Sequence, residues 1–172
     1  SNSVIIDANL SNTILVDADL SNSVLIGTTF RGADLTGANL AGIISNGKDL
    51  TGSILRGADL TGANVAGIDL SGMDLTGTIL RGADLTGANL DDTNLSDIDL
   101  TGTILRGADL SNSILTGVDL SGKDLTRTKL AGVDLSDHDL TETILRGADL
   151  TGAVLPNDYL SGNDFKGTVG HP

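Results

Sequence analysis

An apolar residue stands at every fifth position of this chain from Ile5 to Phe165, with Ser45 as the one exception. All 28 leucines occupy this repeated position, which we call position i. A five-residue period matches neither the 3.6-residue period of an α-helix nor the two-residue alternation of a long strand. The pattern therefore predicts short extended pieces that are joined by turns.

The other positions of the unit indicate where the chain turns and which side chains face inward. Twenty-two of the 23 glycines lie at i+2, where nearly all the others are Asn or Asp. These residues tolerate the positive φ that a type II turn requires. Position i−2 is mostly small, as in Ala33, and i−1 is mostly polar, as in Asp34. In an extended piece, i and i−2 share a face while i−1 points away, so leucine and its small partner are predicted to face inward.

A five-residue unit cannot bury its leucine alone, so successive units must wind into coils that stack and hydrogen-bond to one another. The sequence thus predicts an all-β protein, a parallel β-solenoid. We expect a single domain over residues 1–167, followed by a short tail over residues 168–172.

The unit A-D-L-T-G and its variants resemble the pentapeptide repeat family, whose pattern is A-(D/N)-L-x-x. The resemblance implies a right-handed quadrilateral β-helix with four units in each coil, and hence about eight coils. A longer segment, T-G-T-I-L-R-G-A-D-L, occurs twice and is preceded by the close variant T-G-S-I-L-R-G-A-D-L. Successive copies begin five units apart, one more than a coil holds, so the register places Arg56, Arg81 and Arg106 on successive faces. We interpret this longer repeat as a trace of duplication. Because the arginines lie on successive faces, the geometry disfavours a ligand-binding ladder of arginines.

Charge and composition exclude several classes of partner and chemistry. Ten Lys and Arg against 23 Asp and Glu give a net charge of −13, which argues against direct nucleic-acid binding. No apolar run approaches the ~18 residues of a membrane span, and no signal peptide is visible, so we expect no membrane insertion. The compartment stays open, with the cytoplasm favoured. The absence of cysteine excludes disulfides and thiolate chemistry.

Enzyme signatures are absent, because the chain has only two histidines and neither a nucleophile motif nor a phosphate loop. We expect no catalytic residue, no cofactor and no metal. His138 occupies an inward i−2 position, and Asp158 follows four units later in the same interior column. These two residues are predicted to form an interior polar pair joined by a charged hydrogen bond. A catalytic or metal role for His138 is the alternative, but no third ligand is in sight.

Two lysines, Lys48 and Lys123, also fall at the inward i−2 position. An unpaired buried ammonium would cost several kcal/mol. We therefore expect local distortion, or a side chain that extends to bring its charged end to water. A functional lysine is the alternative.

One outward i−1 column carries Asp59, Asp99, Asp119 and Asp139, which we call the acidic column. The simpler interpretation is that these carboxylates solvate the surface and bond nearby turn amides. The alternative is an acidic recognition surface or a set of weak calcium sites.

Two functions are compatible with the sequence. Some members of the family protect DNA gyrase by resembling B-DNA in shape and charge, but duplex DNA of this length would carry roughly 24 charges. The net charge of −13 is about half of that, and the C-terminal segment keeps to the repeat. The sequence therefore favours a non-enzymatic scaffold or interaction rod whose protein partner is unknown, with DNA gyrase as the partner only under the alternative. Uncapped terminal coils also predict end-to-end self-association, unless the tail covers the C-terminal end.

Overall fold

The computed structural model describes residues 2–45, 50, 52–157 and 165–170. Within these ranges there is no helix, and none of these residues therefore belongs to a helix that could cross a membrane. The extended pieces pair through single parallel β-bridges, each centred on an i−1 residue such as Val4, Asn9 or Ile14. The predicted all-β parallel arrangement is confirmed.

The bridges have one register, because each joins two residues that are 20 positions apart. Val24 pairs with Ile44, and in this ladder Leu25 N donates to Ile44 O at 2.9 Å while Ile44 N donates to Ser23 O at 3.0 Å. One coil is therefore completed by four five-residue units. Val169 still pairs with Asp149 in this register, so the β-helix continues past the boundary predicted at residue 167.

The corners between extended pieces are made by residues with positive φ, as predicted. Gly87 has a φ of 65°, and a backbone hydrogen bond closes the turn from Ala88 N to Leu85 O at 2.9 Å. Arg127 and Glu142 also have a φ of 60°, so the coil imposes the left-handed conformation even on long side chains. Most units therefore turn in the same way, and among the described i+2 residues only Asp137 and Asn157 lack a positive φ.

The core is a stack of position-i side chains. Every one of them from Leu25 to Leu150 is buried, and most are completely sealed from solvent. Residues of the first coil, such as Leu10 and Leu15, are only partly buried because no coil covers them from below. In the part of the chain that the structure describes, the interior of the β-helix is thus filled with side chains.

Threonines at i−2 add hydrogen bonds between coils. The hydroxyl of a threonine at this position donates to the carbonyl of a position-i residue in the coil below. Examples are Thr143 to Leu120 O at 2.9 Å and Thr103 to Leu80 O at 2.8 Å. A polar side chain in this column therefore finds a hydrogen-bond acceptor in a main-chain carbonyl. Without that side chain, the carbonyl accepts only the hydrogen bond from the amide that closes its own turn.

Four outward columns of i−1 residues define four faces, and we name each face after one of its members. The Val24 face consists of Val4, Val24, Ile44, Asn64, Asp84, Ile104, Asp124 and Ile144, and the Asn89 face consists of Asn9, Thr29, Asp69, Asn89, Asp109, Lys129, Asp149 and Val169. The Ile114 face consists of Ile14, Asp34, Ile54, Asp74, Asn94, Ile114, Asp134 and Val154. The Asp99 face consists of Asp19, Asn39, Asp59, Ile79, Asp99, Asp119 and Asp139.

Candidate interaction surface

The acidic column lies on the outside of the Asp99 face, and its carboxylates are fixed by the turn that follows each of them. Oδ1 of Asp119 accepts hydrogen bonds from Ser121 N at 2.9 Å and Ser121 Oγ at 2.7 Å. Asp139 makes the same two contacts with Thr141. In this arrangement one carboxylate oxygen accepts both hydrogen bonds from the turn, and the other oxygen takes no part in them.

These hydrogen bonds favour the ionised carboxylates. The side chain of Ser121 and then its amide lower the pKa of Asp119, and Thr141 does the same for the pKa of Asp139. The negative charge of Asp119 opposes this effect at Asp139, since like charges are neighbours in the column. The pKa of Asp99 is likewise lowered by Thr101, with a smaller contribution from Arg81. The column is therefore negatively charged at neutral pH.

The main-chain ladder of the Asp99 face is interrupted beside these carboxylates. In the lower part of the face, Asp59 N donates to Ala38 O and Leu60 N donates to Ile79 O, at 2.9 and 2.8 Å. Among the described residues, no bridge joins Ile79 to Asp99, Asp99 to Asp119 or Asp119 to Asp139. Neighbouring coils on this part of the face are therefore not joined through their extended pieces.

Each of these three pairs of neighbouring coils forms a junction, and each junction is still joined by a backbone hydrogen bond at one of its two corners. Gly82 N bonds to Thr101 O at 2.9 Å, Asp97 N to Thr116 O at 2.8 Å and Gly122 N to Thr141 O at 2.8 Å. Within the described residues, the corresponding bonds from Gly77, Gly102 and Gly117 are absent. We call this interrupted stretch, from Ile79 to Asp139, the seam.

Two clefts open along the seam. The larger has a volume of about 980 Å³ and lies between the coils of Ile79 and Asp99, with Gly77, Ser96 and Ile98 in its lining. The smaller, of about 330 Å³, lies between the coils of Asp119 and Asp139 and includes Gly117 and Ser136. Both clefts open at the corner where the backbone bond is missing.

The clefts are predominantly acidic. Their linings include only two side chains with a basic nitrogen, Arg81 and His138. They also include six aspartates, which are Asp97, Asp99, Asp119, Asp134, Asp137 and Asp139. Among the described residues, no group of three or more His, Asp or Glu is arranged to hold a metal ion. The clefts thus present negative charge without a coordination site.

The arginines of the longer repeat each form an exposed ion pair with an aspartate of the next coil. Nε lies 3.6 Å from Oδ2 of the partner in Arg56–Asp74, 3.4 Å in Arg81–Asp99 and 3.5 Å in Arg106–Asp124. Exposed pairs of this kind contribute at most about 1 kcal/mol to stability. Arg81 does neutralise part of the charge around Asp99.

The inward polar residues use the contact that threonine makes elsewhere. Lys123 Nζ donates to Leu100 O at 2.9 Å, and His138 Nε2 lies 2.9 Å from Leu115 O. Because a carbonyl can only accept, Nε2 of His138 carries the proton. His138 Nδ1 is buried without a hydrogen-bond partner among the described residues. Asp158, the predicted partner of His138, and Lys48 lie outside the described residues.

The sequence interpretation placed the acidic column on one face but missed the seam behind it. The signal was available, because Ile98, Val118 and His138 are three consecutive large residues in a column that holds Ala18, Ala38 and Ala58 below. Reading the i−2 column for volume, and not only for polarity, would have located the interrupted ladder.

These features define a class: a repeat protein built as a parallel β-helix, with leucine inside and charged side chains on its faces. The model of the family described as pentapeptide repeats matches eight copies, over residues 5–42, 53–92, 93–129 and 124–157. The chain belongs to the pentapeptide repeat family, and its fold is a right-handed β-helix.

Solved structures place the chain beside other family members. HetL, a pentapeptide repeat protein involved in heterocyst differentiation regulation from the cyanobacterium Nostoc sp. strain PCC 7120, is 31% identical, and the match covers 98% of this chain and 87% of HetL with a TM-score of 0.54. A trypsin-treated variant of QnrB1, a plasmid-mediated fluoroquinolone resistance protein, is 22% identical, with 97% and 88% coverage and a TM-score of 0.58. The likeness to QnrB1 concerns the fold alone. A search of curated protein sequences gave no significant match.

Proposed function

We propose that this chain is a non-enzymatic interaction rod that binds a protein partner through the acidic column. The rod is a quadrilateral β-helix of about eight coils. Its interior is filled by leucine, so binding takes place on the faces. An enzyme would need an enclosed pocket in which to surround its substrate, whereas the two clefts of the seam are open to solvent.

One observation carries this proposal: the carboxylates of Asp99, Asp119 and Asp139 are exposed, regularly spaced and held by turn hydrogen bonds. Fixed side chains lose less conformational entropy when a partner binds. A column of fixed negative charges favours a partner with a complementary positive surface.

One relative supports a role in regulation. HetL, the relative at 31% identity, is described as involved in heterocyst differentiation regulation. Gyrase protection is the alternative function, and no feature of the acidic column favours it over other protein partners. Binding to gyrase is therefore one outcome of the test.

The proposal is tested by affinity capture of binding proteins with three forms of the chain. The column variant carries Asp99→Lys, Asp119→Lys and Asp139→Lys. The control variant has the same change in net charge but carries Asp69→Lys, Asp84→Lys and Asp92→Lys on other parts of the surface. We expect the native and control forms to capture the same protein, and the column variant to lose it.

Two results would contradict the interaction proposal: capture of the same proteins by all three forms, or capture of no protein by the native form. A supercoiling assay with purified DNA gyrase separates the alternative. Potent inhibition by the native chain, lost in the column variant, would identify the partner as gyrase.

A further inference from the structure

The size of the inward side chain at i−2 decides whether neighbouring coils pair through their main chains. On the Asp99 face the junctions below Ala38, Ala58 and Thr78 all carry a β-bridge. The junctions below Ile98, Val118 and His138 carry none among the described residues. Since the interior is closely packed, a larger side chain beside the leucine stack must hold the coils further apart.

The other faces obey the same relation. Described junctions below an alanine, serine or threonine at i−2 are bridged, as at Ala63, Ser113 and Thr128. Single junctions without a bridge lie below Met73 and Val133 on the Ile114 face and below Lys123 on the Val24 face. Ile43 is bridged, but the neighbouring position i is Ser45, whose small side chain leaves room.

The Asp99 face differs from the others because three successive junctions are open. Within the described residues, six of the backbone hydrogen bonds expected from the regular pattern are missing there. Their donors would be the amides of Leu80, Asp99, Leu100, Asp119, Leu120 and Asp139. Leu80 is completely buried, so its amide is shielded from solvent and lacks a partner among the described residues. The seam therefore leaves main-chain donors and acceptors without their ladder partners, and the two clefts lie along it.

We infer that the seam is a docking site for an extended, lysine- or arginine-rich segment of the protein partner. This inference rests on the proposed function and adds to it the chemistry and the mode of recognition. The segment would lie on the outside of the Asp99 face, across successive coils and over the two clefts. Its positive side chains would reach the carboxylates that line the two clefts.

Charge selects this occupant over the other candidates. The clefts hold six aspartates, which repel nucleic acid. A second copy of this chain has a net charge of −13 and is repelled as well. A basic segment is attracted, and an extended conformation suits a site that runs across successive coils along one face.

The first test closes the seam without touching its carboxylates. The variant Ile98→Ala, Val118→Ala, His138→Ala gives the upper part of the column the residue found at Ala18, Ala38 and Ala58. The control variant, Met73→Ala with Val133→Ala, makes the same type of change on the Ile114 face. Binding is measured by fluorescence anisotropy with a short peptide of alternating lysine and threonine, and with its glutamate–threonine counterpart.

We expect the native chain and the control variant to bind the basic peptide equally, and the seam variant to bind it at least tenfold more weakly. The acidic peptide should bind none of them. Equal binding by the seam variant and the native chain would overturn the inference, and so would an absence of binding to the native chain.

A second variant keeps the test decisive if the seam variant does not fold. Ala58→Val places a larger residue below the seam, so the Asn39–Asp59 junction should open. The amides of Asp59 and Leu40 should then exchange at least tenfold faster with deuterium, while the amide of Asp34 on the Ile114 face keeps its rate. Unchanged exchange at Asp59 would contradict the role given to side-chain size.

The two proposals fail in different ways. If the column variant loses its captured protein but the seam variant keeps it, the acidic column binds the partner and the docking inference is wrong. If neither variant loses the captured protein, the proposed function itself is wrong.

Discussion

Single residues in this chain act through two properties, their volume inside the coil and their tolerance of positive φ at the corner. Leu85 is fully buried, and Gly87 in the following turn occupies a left-handed corner. The same five-residue unit therefore contains one position that is sensitive to loss of volume and one that is sensitive to backbone strain.

Replacing Leu85 by alanine should lower the free energy of unfolding by about 2–5 kcal/mol, because the surrounding coils can only partly fill the cavity. Ile114→Ala is the matched control, since Ile114 is 52% exposed. Its effect should stay within about 0.5 kcal/mol. Urea unfolding followed by circular dichroism measures both values. Equal losses in the two variants would contradict a sealed leucine interior.

At the corner, Gly87→Ala should cost about 1–2 kcal/mol. No other atom lies within 4 Å of the added Cβ, so the cost comes from the left-handed backbone and not from a clash. The reverse change, Glu142→Gly, relieves that strain at a φ of 60°. It should stabilise the fold by less than about 1 kcal/mol, because glycine also gives the unfolded chain more freedom. Thermal unfolding of the two variants should therefore shift in opposite directions, and shifts of the same sign would count against the assigned corners.

At the scale of the five-residue element, the aspartate at i−1 and the hydroxyl at i+1 form one unit. The pKa of Asp139 is lowered from its ordinary value of 3.8, chiefly by Thr141. A carboxylate with a lowered pKa in the folded state stabilises the fold above the unfolded value, and this contribution is lost as the pH falls through the lowered value.

We therefore expect the stability of the chain to decrease as the pH falls below about 4. In Thr141→Val, which removes the hydroxyl donor, the pKa of Asp139 should rise towards its ordinary value, and the loss of stability on acidification should be smaller. Titration of the Asp139 carboxyl by NMR measures the pKa directly. An unchanged pKa in Thr141→Val would show that this hydrogen bond does not control it.

Much of the element was predictable from sequence, because the leucines, the glycine-like corner positions and the period all specify the same turn. Arg127 and Glu142 could be assigned to corners only by their place in the repeat, and the structure gives both a positive φ. The contact between Lys123 and Leu100 O was not predicted. That carbonyl belongs to the coil below, and its position depends on how the coils stack.

At the scale of the whole molecule, the four-unit register makes the chain a rod. For the proposed eight or so coils, the ~4.8 Å spacing of neighbouring strands predicts a length of roughly 40 Å. Small-angle X-ray scattering should fit an elongated particle of this length. A compact, near-spherical profile would contradict the stacking of successive coils.

The seam is also a property of the whole molecule, since it is visible only when three coils are compared. The sequence predicted which residues share its interior column, but not that their combined volume would separate the main chains. That outcome depends on packing against the leucine stack, where Ile43 is accommodated beside Ser45 and Ile98 is not.

Residue-resolved amide hydrogen exchange on the native chain tests the central claim most directly. The amides of Asn39, Asp59 and Ile79 should be strongly protected, because each donates to a carbonyl of the coil below at 2.9 Å. The amides of Asp99, Asp119 and Asp139 should exchange much faster, while Ile104, Asp109 and Ile114, at the same height on the other faces, stay protected. Uniform protection along the Asp99 face would contradict the open seam and the account of side-chain volume on which it depends.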